Sequence, residues 1–255
     1  MLAAGEDFTA VDQAWGLHDP APGLLAAGAD LSVVTLRKAY SHGIFPWYSQ
    51  GQPILWWSPD PRMVLHLNDF KLHRSLRKTL VNFLQMPSCE IRIDSAFAQV
   101  IAACAAMRRE GQHGTWILPD MQAAYTRLHE AGLAHSVETW VQGELVGGLY
   151  CTALGQAVFG ESMFARQTDA SKIALAALVA LCKAQGVRLI DCQQNTAHLA
   201  SLGAREMPRA EFCRHVQAAA LQTPLIWSAK SVEWNALALK TTPHPHPYPH
   251  PHRWP

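Results

Sequence analysis

The 255-residue chain predicts an α+β protein, a small N-terminal domain followed by a larger mixed-sheet domain. Three observations predict it. Hydrophobic residues make up 49% of the chain, enough to bury a sizeable core. Residues 1–90 are dense in Gly, Pro and Trp and show little regular period. From residue 91 onward the pattern becomes regular, and after a first strand and two helices it runs β-β-β-α-β-α, which suits a mixed sheet with helices packed on it. The division expected is therefore 1–90, 91–240 and a tail, 241–255.

In the first part, Ser32 is a candidate N-cap, Leu36, Ala39 and Tyr40 share a helical face, and Gly43 is a C-terminal stop. Next, "LHRSLRKTL" places Leu72, Leu76 and Leu80 on one stripe and gathers Arg74, Arg77 and Lys78 on another, a candidate basic patch. "IRI" then predicts a short strand. A helix opened by Asp94 or Ser95 turns Phe97, Val100, Ile101 and Cys104 toward a core, and a second spans about 119–131 up to Gly132. "HSVETWVQGELVGGLYCTALGQAVFGESMF" predicts three antiparallel strands with turns near Gln142-Gly143 and Leu154-Gly155. "DASKIALAALVALCKAQG" is a helix capped near Asp169 to Ser171 and closed by Gly186, ahead of strand "VRLIDC", a short helix "TAHLASLG" and a last helix over about 209–221.

The formal charge is only +1, so a polyanionic partner would have to meet a local basic patch rather than a basic molecule. The six cysteines show no C-x-x-C pair and no metal-site spacing, a pattern of buried thiols in a reducing compartment. The N-terminus lacks the basic and apolar regions of a signal peptide, and no apolar run approaches a membrane span, so a cytoplasmic location is expected. In "TTPHPHPYPHPHRWP", proline at nearly every second position forbids helix and predicts a disordered tail.

The stretch "LIDCQQNTAHLASLGA" carries chemistry. Residues two apart on a strand project to the same side, so Asp191 and Gln193 are expected together, with Cys192 on the other face. Two roles fit this spacing. The pair can orient an amine and hydrogen-bond a carbonyl, or Asp191 can cap the following helix while Gln193 bonds to backbone.

Eight segments in order, "GIFPWY", "PILWWSPDPR", "GTWI", "AYTRLHEAGLAHSVETW", "LVGGLY", "GESMFAR", "DASK" and "LIDCQ" with "HLASLGA", together resemble the leucyl/phenylalanyl-tRNA–protein transferases over about residues 20–215. Departures are few. Ala29 interrupts a usual Gly-Gly, Ala165 replaces a Ser, and Cys151-Thr152 replaces a Gly-Val.

The resemblance implies an aminoacyltransferase that moves Leu, Phe or Met from aminoacyl-tRNA to the N-terminal Arg or Lys of a protein, marking it for N-end rule degradation. It also implies a larger domain similar to the N-acetyltransferases that use acetyl-CoA. On this resemblance Asp191, Gln193 and Glu161 lie at the catalytic centre, with Asp191 acting through the Gln193 carboxamide on the attacking amine and Glu161 suited to holding the cationic acceptor terminus or its Arg or Lys side chain. Trp47 and Trp116 would line the region of the tRNA end and peptide. An apolar donor pocket suits Leu149, Phe159 and Met163, and the face of Arg74, Arg77 and Lys78 suits tRNA phosphates.

No cofactor or metal is expected, because an aminoacyl ester is already activated and the chain has no G-x-x-x-x-G-K-[ST] loop. Ser162 in "GESMF" lacks the final glycine of a nucleophile elbow, since Phe164 stands there. The alternatives are a CoA-dependent N-acyltransferase and a non-catalytic module that binds tRNA or protein N-termini. Against the first, "RQTDAS" puts Asp169 at a helix start where CoA pyrophosphate would sit.

Overall fold

A computed structural model of the chain describes residues 1–107 and 115–239. The Pro/His tail, along with Arg108 to Gly114 and Lys240, lies outside the described residues. In chain order the first elements are β1 (Leu24–Ala27), α1 (Val33–Ser41), β2 (Phe45–Pro46), β3 (Leu55–Trp57), β4 (Arg62–His66) and α2 (Arg74–Gln85). They are followed by β5 (Cys89–Ile93), α3 (Phe97–Ala106), α4 (Pro119–Glu130), β6 (Ala134–Val141), β7 (Glu144–Leu154) and β8 (Ala157–Ala165). The last are α5 (Ala170–Ala184), β9 (Leu189–Gln193), α6 (Ala197–Ser201), β10 (Arg205–Met207) and α7 (Arg209–Ala220).

The fold is mixed α/β. A large sheet runs β10-β4-β9-β8-β7-β6-β5, and a small antiparallel sheet runs β1-β3-β2. Every neighbour pair of the large sheet is antiparallel except β8 with β9, which α5 joins as a crossover. An apolar core lies on each face. Tyr40, Val100, Tyr125 and Phe212 bring α1, α3, α4 and α7 against one side, while Leu80, Phe83 and the buried length of α5 cover the other. The expected boundary at residue 90 falls inside this arrangement. β4 is an internal strand between β10 and β9, and its burial on both faces matches its apolar run Met63-Val64-Leu65.

Local chemistry accounts for the elements. Ser32 Oγ accepts from Thr35 N, capping α1, and Thr196 caps α6 in the same way through Leu199 N. Gln142 and Gly143, at φ 53° and 78°, form a two-residue turn between β6 and β7. The start of α3 differs from expectation. Neither Asp94 nor Ser95 caps it; the Glu138 carboxylate, reaching across from β6, accepts Ser95 N at 3.0 Å and Ala96 N at 2.7 Å. Asp94 turns away to accept Ser136 N at 2.8 Å and to pair with His135 at 2.7 Å. Asp169 stands at the N-cap of α5 but makes no capping bond; it takes the Lys172 ammonium at 2.8 Å instead.

Candidate functional site

β8 and β9 pair over only two rows, Val158↔Ile190 and Phe159↔Asp191, and then part. Gly160 marks the point of separation, where a Cβ would lie 3.3 Å from the Asp191 carbonyl oxygen. Beyond it a cavity of about 540 Å³ opens between the strands. Its floor is apolar, formed by Leu65 from β4, Leu149 from β7, Met163 from β8, Leu175 and Leu178 from α5, and Ile190 from β9. Phe45, Trp47 and Trp116, and the polar residues Gln194, Thr196 and His198, line it as well.

One ionisable group at the polar end of this cavity is set apart by its geometry. On β8, Gly160 faces Cys151 and Ser162 faces Tyr150, so Glu161 is the extra residue of a β-bulge. Bulges re-aim side chains, and this one delivers the Glu161 carboxylate into the mouth of the gap. Tyr40 OH donates to Glu161 Oε1 at 2.6 Å and the Gln193 carboxamide donates to Oε2 at 3.1 Å. Tyr125 OH lies 3.5 Å from Oε2 and hydrogen-bonds the Tyr40 hydroxyl.

Burial pushes the Glu161 carboxyl up to about 7, and the nearby Asp191 charge adds to the rise; the donated hydrogen bonds of Tyr40 and Gln193 oppose it. The same burial, and the charge of Glu161 itself, hold both phenols well above their ordinary range, so they serve as donors.

Asp191 is placed differently. It is 0% exposed, and Arg62, 1% exposed, grips it through two parallel bonds, Nε to Oδ1 at 2.8 Å and Nη2 to Oδ2 at 2.6 Å. Arg62 also donates to the Gly43 carbonyl at 3.1 Å and lies between the rings of Phe45 and Phe212, at 4.7 and 4.6 Å from their centroids. Gly43 itself sits at φ 76°, with Cys213 and Phe212 where a Cβ would go.

The relay expected from Asp191 through the Gln193 carboxamide is not the geometry present. Asp191 Oδ1 accepts the backbone N–H of Gln193 at 2.9 Å, and the Gln193 side chain goes to Glu161. The two side chains still meet one cavity, but through a φ of 61° at Gln193 rather than through strand alternation. Asp191 does not cap α6 either, since Thr196 does.

Of the other sequence-predicted residues, Trp47, Trp116, Leu149 and Met163 line the cavity. Phe159 does not: it is 1% exposed and packs on Tyr40, ring centroids 4.9 Å apart, beneath the site. Arg74 and Lys78 are exposed on α2, away from the cavity lining. Arg77 is half-buried, and its guanidinium donates to the carbonyls of Ala238 at 3.0 Å and Leu237 at 3.5 Å, clasping the C-terminal segment. Ser162 is buried opposite Tyr150 and also lines the cavity.

Sequence reasoning gave no part to Arg62, Tyr125 or the α5 leucines, and took Tyr40 only as core. The one signal for Arg62 was its place in "SPDPR"; a lone arginine does not announce burial. Among the described residues there is no cluster of three or more His, Cys, Asp or Glu that could hold a metal, and no helix is long and apolar enough to cross a membrane.

A mixed sheet that opens onto an apolar cavity, with a single carboxylate poised near neutrality at its polar end, has the chemistry of an acyltransferase: a pocket for an apolar acyl group and a base for the attacking nucleophile. The chain belongs to the leucyl/phenylalanyl-tRNA protein transferase family. Residues 64–217 match that family and residues 29–60 match its N-terminal domain. The chain is 64% identical over 242 residues to a leucyl/phenylalanyl-tRNA–protein transferase of a Polaromonas species, covering 95% of each chain. It is 61% identical over 236 residues to one from Albidiferax ferrireducens, covering 92% of this chain and 93% of the relative. A solved structure of a functionally unknown conserved protein from Staphylococcus epidermidis aligns over 72% of this chain and 68% of its own, at 10% identity and a TM-score of 0.36. At that score the fold rests on the strand order above.

Proposed function

We propose that this chain transfers Leu, Phe or Met from aminoacyl-tRNA to the N-terminal Arg or Lys of an acceptor protein, with Glu161 as proton acceptor. The observation that carries this reading is the Glu161 carboxylate, set by a β-bulge among the residues lining an apolar cavity and hydrogen-bonded by Tyr40 and Gln193, where burial pushes it up to about 7. The acceptor α-amine, with an ordinary pKa near ~8, attacks the ester carbonyl. The N–C bond forms, the bond from the acyl carbon to the ribose oxygen breaks, the amine proton passes to Glu161, and Glu161 returns that proton to the released ribose oxygen. The Gln193 carboxamide fixes Glu161 beside the amine. Asp191 acts on the backbone of Gln193.

Leu149 and Met163, with the leucines of α5, receive the donor side chain. An apolar floor discriminates adjacent sizes weakly, since one methylene is worth about 1–3 kcal/mol, and this agrees with a site shared by Leu, Phe and Met. Trp47 and Trp116 in the cavity lining offer faces for the terminal adenosine and the acceptor peptide, and exposed Arg74 and Lys78 offer charges to tRNA phosphates. The product carries a new N-terminal residue that marks it for degradation, a cytoplasmic role.

The parting of β8 and β9 supports a fold of the N-acetyltransferase kind. Asp169 at the start of α5 speaks against CoA as the donor, since an acidic side chain there repels pyrophosphate. Incubation with radiolabelled Leu-tRNA and a peptide beginning with Arg tests the reading. Label should enter the peptide, and no label should come from Asp-tRNA. Retained tRNA binding without transfer would instead support the non-catalytic binding module.

A further inference from the structure

We infer that Arg62 is a positioning residue for the transfer: through Asp191 it fixes the backbone of Gln193, and with it the carboxamide that reaches Glu161. The inference rests on the proposed part of Glu161 and Gln193 and adds a residue to it.

Three contacts form one chain. Arg62 Nε donates to Asp191 Oδ1 at 2.8 Å, the same oxygen accepts Gln193 N at 2.9 Å, and Gln193 Nε2 donates to Glu161 Oε2 at 3.1 Å. The second guanidinium bond, to Oδ2 at 2.6 Å, stops the carboxylate from rotating. Gln193 needs such a tie. Its φ of 61° is left-handed, a conformation side-chain-bearing residues seldom adopt unless their surroundings hold them there. The ladder to β8 has already ended at Phe159↔Asp191, so on that side no strand pairing holds Gln193, and on the other β4 pairs Met63 with Gln193 only beyond a register shift that skips Cys192.

Arg62 is itself immobilised. It is 1% exposed, held between Phe45 and Phe212, and bonded to the Gly43 carbonyl, which follows α1, the helix that supplies Tyr40. Arg62 thus references two donors of Glu161, Tyr40 and Gln193, to one buried cation. A displacement of Gln193 on the order of 1 Å is enough to cost about 10²-fold in rate where the reacting groups are pre-positioned.

The test is a cycle built on Gln193→Ala. Removing Arg62 alone leaves a buried carboxylate unpaired, so the pair is replaced together as Arg62→Met with Asp191→Leu, an exchange buried ion pairs often tolerate. The double variant should fold and keep its KM for Leu-tRNA within about 3-fold, while kcat for transfer to an Arg-peptide falls about 10²-fold. Adding Gln193→Ala should lower kcat no further, because residues acting as one unit are not additive. A purely structural Arg62 would show melting-temperature loss with kcat per folded molecule unchanged, and this would overturn the inference; so would losses that multiply in the triple variant. Should the double variant not fold, Arg62→Lys keeps the charge and loses the fork, and the same non-additivity with Gln193→Ala applies to its smaller kcat loss. If Gln193→Ala alone is fully active, the reading of Glu161 and Gln193 fails, which is distinct from an inactive Gln193→Ala beside a fully active double variant, where only the part of Arg62 fails.

Discussion

The Gln193 carboxamide donates to Glu161 at 3.1 Å across the gap where β8 and β9 part, joining a bulged residue of one strand to a left-handed residue at the end of the next. Two irregularities therefore make this contact between the strands. The Glu161 carboxylate is thereby set among the residues that line the apolar cavity.

Glu161 must be ionised to accept a proton, so kcat/KM for transfer should rise with pH through about 7, the value to which burial pushes this carboxyl. Glu161→Gln should lower kcat roughly 10²-fold or more and abolish that limb in the pH–rate profile. Stability should respond with the opposite slope. The folded state binds more protons than the unfolded one between 4.5 and about 7, so stability falls as pH rises through that window, and Glu161→Gln should remove the fall in a series of denaturant titrations.

Tyr40→Phe takes away a hydrogen bond that holds the Glu161 carboxyl down. The limb of the pH–rate profile should move to higher pH, with lower activity at neutral pH that alkaline buffer partly restores. An unmoved limb in Tyr40→Phe would show that the profile reports another group.

Asp191→Asn should act first on stability. It leaves the Arg62 guanidinium buried beside a neutral partner, and breaking one side of a buried pair typically costs about 3–5 kcal/mol. Chemical denaturation should detect that loss, accompanied by a reduced kcat in the molecules that remain folded.

The basic face of α2 should separate into two effects. Arg74→Ala with Lys78→Ala should weaken tRNA binding and lower the slope of log K against log salt by up to about 2, since each phosphate contact contributes close to one. Arg77→Ala should leave that slope nearly unchanged and destabilise the fold by about 1 kcal/mol, through lost bonds to Leu237 and Ala238. Binding isotherms at four salt concentrations decide between them.

Ala29, which departs from a usual glycine of the family, takes φ 59°. Ala29→Gly should stabilise the protein by up to about 1 kcal/mol in thermal unfolding, because the left-handed conformation is strained for a residue with a Cβ.

The sequence by itself determined most of the elements and the family. The i, i+4 spacing of Leu76 and Leu80, the glycine-marked turns that separate β6, β7 and β8, and the cap at Ser32 are local signals, written within a few residues of where they act. Eight ordered segments were enough to name the relatives, and they brought Glu161, Asp191 and Gln193 into view. What only the tertiary structure decided is how these groups divide the work. Arg62 meets Asp191 across 129 positions of chain, and Tyr40 meets Glu161 across 121. No local pattern encodes a partner at that distance. The strand period placed Asp191 and Gln193 side by side as equals, yet burial and a guanidinium fork turned one into an anchored anion, while a single left-handed residue sent the other to Glu161. Strand β4 likewise reads as loop or short strand in isolation, because its place inside the large sheet depends on β9 and β10, which the chain makes more than 120 residues later. Sequence periodicity reports which side of an element is apolar; which charges are desolvated, and against what, is settled only when distant elements close over them.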